Sequence, residues 1–143
     1  MATQTVDKLN SFLRGEISAV ETYRQAIEKL RNKPQVSTLN DCMQSHAQRV
    51  GLLREEIRRR GGEPAQGSGP WGTFAKLVEG GGTALGEKAA IAALEEGEDH
   101  GRDDYKRDAQ ELEPDARQFV EQQLIPEQLR THRALSTLKS QFE

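Results

Sequence analysis

The segment LNSFLRGEISAVETYRQAIEKL, residues 9–30, sets Leu9, Leu13, Glu16, Val20, Tyr23, Ile27 and Leu30 at alternating spacings of four and three. That is the period of one face of an α-helix. The stripe is apolar except at Glu16 and Tyr23, so a carboxylate and a phenol occupy positions meant for a core. Seven residues are two helical turns, so both side chains point the same way, about 10 Å apart along the axis. A carboxylate taken out of water needs a metal, a hydrogen-bond network or a basic partner. The same pair recurs at Glu98 and Tyr105, and these are the only two tyrosines in the chain.

Composition agrees with long helices. The 143 residues have room for one core, which predicts a single domain over 1–143. The chain is 34% hydrophobic and 30% charged, with a mean hydropathy of −0.79. Helices that each bury one stripe and expose a wide charged face reconcile these values. No run alternates apolar and polar residues as a half-buried strand would, so the fold class is all-α. Basic and acidic residues, 20 and 23, are interleaved for a net charge of −3. That leaves no basic face or tail for nucleic acid. The one basic cluster, Arg58-Arg59-Arg60, precedes Gly61-Gly62, where cations complement a helix C-terminus. The single cysteine, Cys42, excludes an internal disulfide, suits a reducing compartment and is expected as a buried small hydrophobe. The N-terminal residues carry no signal-peptide pattern and no apolar run reaches membrane-spanning length. The expectation is a cytoplasmic protein with no membrane partner.

Four long helices are predicted, over about 4–32, 35–60, 84–112 and 115–141, with a crossover at 61–83. The second carries Leu39, Met43, His46, Val50, Leu53 and Ile57 as its apolar stripe. The third carries Ile91, Leu94, Glu98, Tyr105, Ala109 and Leu112. The fourth carries Phe119, Val120, Leu124, Leu129, His132, Leu135 and Leu138, with Pro126 expected to kink or locally loosen it. Pro34 and Pro114 mark breaks, and Thr83 is a candidate N-cap. Short links make helices one and two, and three and four, antiparallel hairpins. The Gly/Pro-rich crossover, with a short amphipathic piece at Trp71, Phe74, Leu77 and Val78, is long enough to run back along a helix. Trp71 is expected to pin it to the bundle. Helices two and three are then parallel. The halves also repeat: an offset of 82 relates Glu16, Tyr23 and Leu30 to Glu98, Tyr105 and Leu112.

With these residues the chain resembles the ferritin-like superfamily, two hairpins joined by a long crossover around a pseudo-twofold core metal site. The rubrerythrin-type pattern is Glu-x6-Tyr on helices one and three and Glu-x-x-His on helices two and four. The resemblance implies that the first pair of glutamates are terminal ligands, that the second pair bridge two irons, that each histidine completes one iron site, and that the tyrosines hydrogen-bond the carboxylates. More closely, the whole chain looks like a bacterial family of similar length, ferritin-like in fold and catalogued only as domain of unknown function 2383. Glu16, Tyr23, Glu98, Tyr105, His46 and His132 match the pattern. Met43 and Leu129 stand where the bridging glutamates belong. Two irons would then be short of ligands and of negative charge.

Three readings remain open. Glu16, His46, Glu98 and His132 converge on one divalent ion, whether iron, zinc or manganese, with Tyr23 and Tyr105 behind them. Alternatively, Glu16 pairs with His46 and Glu98 with His132 in a degenerate, metal-free di-iron site. In the third reading Glu95, His100 or Gln128 substitute as ligands. His100, among acids, is expected on a solvated face. There is no nucleophile motif and no phosphate-binding loop. Ser45 and His46, adjacent on a helix, diverge too far to act as a nucleophile and its base. The leading expectation is a non-catalytic bundle, structural or stress-related. The alternative is a single-metal-binding protein or metal-dependent oxidoreductase. A homodimer is the default expectation for assembly.

Overall fold

The structure, a computed structural model, describes residues 2–68 and 84–141. Within them the chain is all-α: α1 (Ala2–Lys29), α2 (Val36–Arg59), α3 (Ala84–Ala109), α4 (Pro114–Phe119) and α5 (Ile125–Ser140). A π-helical turn, Val120–Leu124, joins α4 to α5, so the last three elements make one continuous rod. The expected boundaries at 32, 35 and 112 shift by a few residues, which is ordinary fraying. The expected Trp71–Val78 piece, its pinning tryptophan and the Thr83 cap lie outside the described residues.

Contacts along the rods fix their directions. Asp41 meets Arg130, and further along α2 Arg60 meets Asp115, so α2 and the last rod run antiparallel. Tyr23 meets Glu98 while Tyr105 meets Glu16, so α1 and α3 are antiparallel. The hairpin link 30–35 returns α2 against α1, where His46 reaches Glu16. It follows that α2 and α3 are parallel.

Local chemistry sets the ends. Gly61 takes φ 78°, the left-handed conformation that closes a helix, while Gly62 N–H returns to the Ile57 carbonyl at 2.9 Å. A Cβ on Gly62 would lie 2.6 Å from Val6, so only glycine lets the chain leave α2 this close to α1. Asn10 then holds the start of the crossover, accepting from Ala65 N–H and donating to the Glu63 carbonyl. Pro114 opens α4 at a position where its missing N–H costs nothing.

Two apolar clusters fill the bundle. One holds Leu9, Leu13, Leu53, Ile57, Leu112 and Leu124; the other holds Leu30, Leu39, Cys42, Ile91, Leu94 and Leu135. Between them lies a polar layer of Glu16, His46, Arg49, Glu98, Gln128 and Thr131, all buried. Each helix passes from one cluster through this layer into the other.

The last rod corrects the expected stripe. Its buried face runs Ala116, Val120, Leu124, Gln128, Thr131, Leu135 and Leu138, whereas Leu129 and His132 are only half-buried. Three successive steps of four overrun the α-helical repeat by about one residue, and the π turn absorbs the excess. Pro126 therefore begins α5 rather than kinking its interior, and the local loosening expected at it is the π turn just before. Deleting the exposed Gln122 removes the absorbed residue and turns Ala116 and Val120 by about 100° relative to Gln128. We expect that deletion to cost at least about 1.5–3 kcal/mol, the burial of one large aliphatic side chain. Gln122→Ala should stay within about 0.5 kcal/mol of the parent. Urea denaturation of the two variants measures the difference.

Candidate functional site

Four helices each send side chains three residues apart, or a single carboxylate, into the polar layer. From α1 and α3 come Glu16 and Glu98. From α2 come His46 and Arg49, and from α5 come Gln128 and Thr131. The offset of 82 that relates Glu16 to Glu98 also relates His46 to Gln128 and Arg49 to Thr131. Arg49 Nη2 donates to Thr131 Oγ1 at 3.0 Å, so these symmetry mates touch each other. The inward pairs are thus His46/Arg49 and Gln128/Thr131, not Met43/His46 and Leu129/His132.

His46 lies between the two carboxylates, with Nδ1 2.5 Å from Glu16 Oε1 and Nε2 2.7 Å from Glu98 Oε2. Both ring nitrogens donate only in the imidazolium form. Burial and the Arg49 guanidinium favour the neutral ring, but Glu98 and Glu16 outweigh them and raise its pKa above the ordinary 6.5. Burial alone would also push Glu16 up. Arg49, His46 and the Tyr105 hydroxyl overcome it and hold the carboxyl down at about 2. Glu98 is lowered in the same way, against its burial, by His46, Tyr23 and Thr131.

The tyrosines cross between halves. Tyr23 on α1 donates to Glu98 Oε2, and Tyr105 on α3 donates to Glu16 Oε2, each at 2.5 Å. Burial first, then the facing carboxylate, raises both phenol pKa values well above 10, so both remain donors. Glu98 Oε1 accepts from Gln128 Nε2 at 2.9 Å and Thr131 Oγ1 at 2.7 Å. Every carboxylate oxygen of the pair accepts at least one hydrogen bond. Gly101 makes room for this, because a Cβ there would meet Gln128 Nε2 at 2.8 Å.

Arg49 was not foreseen as a member of the site. It is 1% exposed, and its donors reach Glu16 Oε2, the Gln128 amide oxygen, Thr131 Oγ1, Ser45 Oγ and the Ser45 carbonyl. Those are five acceptors for the five N–H bonds of a guanidinium. Two carboxylates, an imidazolium and a guanidinium sum to zero charge inside the bundle. Its signal in the sequence is the spacing His46, Arg49, Leu53, as helical as the one through Val50.

His132 does not join this layer. It lies on the α3–α5 flank, 2.5 Å from Asp99 and 3.9 Å from Glu95. The expected Glu98–His132 pairing is replaced by Glu98–His46. His100 is exposed beside Glu96, as expected of a solvated face. Gln128 enters the site, with its amide nitrogen on Glu98 and its oxygen on Arg49. Cys42 is buried, and burial raises its thiol to about 12.

Metal-ligand geometry at the centre is poor. The two nitrogens of one imidazole point apart, so Glu16 and Glu98 lie on opposite sides of the ring. Taking one donor atom from each, Glu16, His46 and Glu98 do not come within 4.8 Å of one another, and the Arg49 charge sits among them. These residues do not fit a di-metal or single-metal centre. A pocket of about 50 Å³ reaches Glu16, His46 and Glu98 and is also lined by Gly15 and Ala19 of α1 and Ala93 and Gly97 of α3. Among the described residues no helix is long and apolar enough to cross a membrane.

The family described as domain of unknown function (DUF2383) matches residues 4–111. The chain belongs to this family. The match spans α1 to α3, with Glu16, Tyr23, His46, Arg49, Glu98 and Tyr105, and stops before the rod that supplies Gln128 and Thr131. No curated protein and no solved structure matches the chain.

The shifted groups set a pH profile. Glu16 is lowered from 4.5 to about 2, so its stabilisation is present above pH 4.5 and lost as pH falls toward 2. His46 is raised from 6.5, so its stabilisation is complete below pH 6.5 and lost as pH rises through the folded value. Thermal melts should therefore show greatest stability between pH 4.5 and 6.5. His46→Gln should remove the alkaline decline and leave the acid one. A parent protein equally stable on both sides of pH 6.5 would show that His46 is not held as the cation.

Proposed function

We propose that this protein is a ferritin-like bundle whose centre works without metal, with His46 and Arg49 supplying the positive charge that metal ions supply in bundles of that design. The up-down-down-up helix directions, the internal offset of 82 and the crossed Glu–Tyr pairs support the ferritin-like reading. The single observation that carries the metal-free reading is the Arg49 guanidinium, 1% exposed and bonded to acceptors at all of its nitrogens. A divalent ion at this point would displace one cation and face the repulsion of the other. The protein is then a non-catalytic bundle, structural or stress-related in role. Its single buried thiol suits the reducing cytoplasm. One ion held by Glu16, His46, Glu98 and His132 would need His46 to turn, Arg49 to leave and His132 to cross α5.

Metal analysis tests the proposal most directly. Protein carrying Glu95→Gln, which removes a flank carboxylate and keeps Glu16, His46, Glu98 and His132, is purified from metal-rich medium without chelator. We expect far less than one iron, zinc or manganese per chain, and the same melting temperature with and without chelator. A stoichiometric ion whose removal lowers that temperature would overturn the metal-free reading. Arg49→Met should cost about 3–5 kcal/mol, because it leaves a carboxylate buried without its counter-charge. Adding Glu16→Gln to Arg49→Met should recover part of that loss, since neutrality is restored. Chemical denaturation of the single and double variants measures both.

A further inference from the structure

The geometry points to a divalent metal site on the α3–α5 flank, made by Glu95, Asp99 and His132 and suited to Zn²⁺. Glu95 and Asp99 are four residues apart on α3, hence on one face, and His132 projects from α5 between them. One donor atom from each lies within 4.8 Å of the others. His132 Nε2 is 2.5 Å from Asp99 Oδ1 and 3.9 Å from Glu95 Oε2. Donors around tetrahedral zinc stand about 3.3 Å apart for bonds of about 2.0–2.1 Å, so the two observed distances bracket the spacing required. Two carboxylates and a neutral imidazole balance a 2+ ion and leave its remaining position to water. Magnesium and calcium, which favour more ligands and all-oxygen sets, suit this trio less well.

The hydrogen bonding at His132 adds to this geometry. Its Nε2 faces both Asp99 Oδ1 and, at 3.3 Å, Arg102 Nη1. With a proton, Nε2 satisfies Asp99 but opposes the Arg102 donor. Without one, it accepts from Arg102 but sets its lone pair against the Asp99 carboxylate. A metal ion resolves the conflict by taking the lone pair of Nε2 together with one oxygen each of Asp99 and Glu95. Arg102 Nη2 also lies 3.5 Å from the same Asp99 oxygen, so the ion must displace this cation, whose Nε is bonded to Asp103 at 3.1 Å. Lys139, 3.5 Å from Glu95 Oε1, is a half-exposed flexible side chain and can withdraw to water. Ser136 Oγ, 3.4 Å from Glu95 Oε2, helps to orient that carboxylate. His132 is 18% exposed on its side chain, so an ion can reach it without opening the bundle. This site is separate from the Arg49 layer and does not depend on the reading of that layer.

The test is titration of the full chain with ZnCl2, followed by calorimetry and thermal melting. We expect one equivalent to bind and to raise the melting temperature. Co²⁺ in place of zinc should give the visible absorption of a low-coordinate site. His132→Ala, Asp99→Asn and Glu95→Gln should each abolish or strongly weaken binding. Glu95→Gln matters most, because it leaves the His132–Asp99 contact and so the metal-free fold intact. Arg102→Ala should bind zinc severalfold more tightly, by removing a competing cation. His100→Ala and His46→Gln should keep the equivalent, which separates this site from an exposed histidine and from the core. No binding by the parent chain, or undiminished binding by His132→Ala or Glu95→Gln, would overturn the proposal.

Discussion

A guanidinium kept from water constrains the rest of this bundle. Ionised groups are costly to bury, and Arg49 is tolerable at the centre only because each donor meets an acceptor and Glu16 lies beside it. The demand spreads outward. Gln128 must present its oxygen to Arg49, which fixes its amide nitrogen toward Glu98, and Gly101 must lack a side chain to admit it. The π turn at Val120–Leu124 belongs to the same demand, since it lets Gln128 and Thr131 face inward below Val120 and Leu124.

The centre is balanced in charge and in hydrogen bonds. A catalytic carboxylate needs a lone pair directed at substrate, or a proton to give at working pH. Glu16 and Glu98 are ionised and already accept from tyrosine, imidazole, amide, hydroxyl and guanidinium donors. The histidine that could act as a base has both ring nitrogens committed to these carboxylates. Such a network favours one arrangement of four helices over its alternatives, because any slip by a turn leaves charges unpaired. The apolar clusters on either side supply most of the burial, and the polar layer supplies the register.

Much of this was legible in the sequence, for a physical reason: a helix buries one face, and the period of that face shows in the order of residues. The Leu9–Leu30 stripe, the Glu–Tyr pairs, the glycines after Arg60 and the short hairpin links led to the all-α bundle with its directions. The reading failed where polar residues fill core positions. Gln128 reads only as a substitute ligand, and nothing apolar marks Thr131 or Arg49 beside His132 and Val50. Hydrophobicity marks the inward face only when that face is apolar. The three successive steps of four through Ala116, Val120, Leu124 and Gln128 are the trace of the π turn.

The sequence by itself determined the helices, their order and the two buried Glu–Tyr motifs, because these depend on spacing along one chain. It could not say which histidine meets which glutamate. That depended on the rotation of each helix about its own axis: α5 packs Gln128, Thr131, Leu135 and Leu138 inward, which leaves His132 on the flank facing Asp99. Only the tertiary structure placed Arg49 and His46 with Glu16 and Glu98, because charge neutrality is a property of the four helices packed together and of none alone.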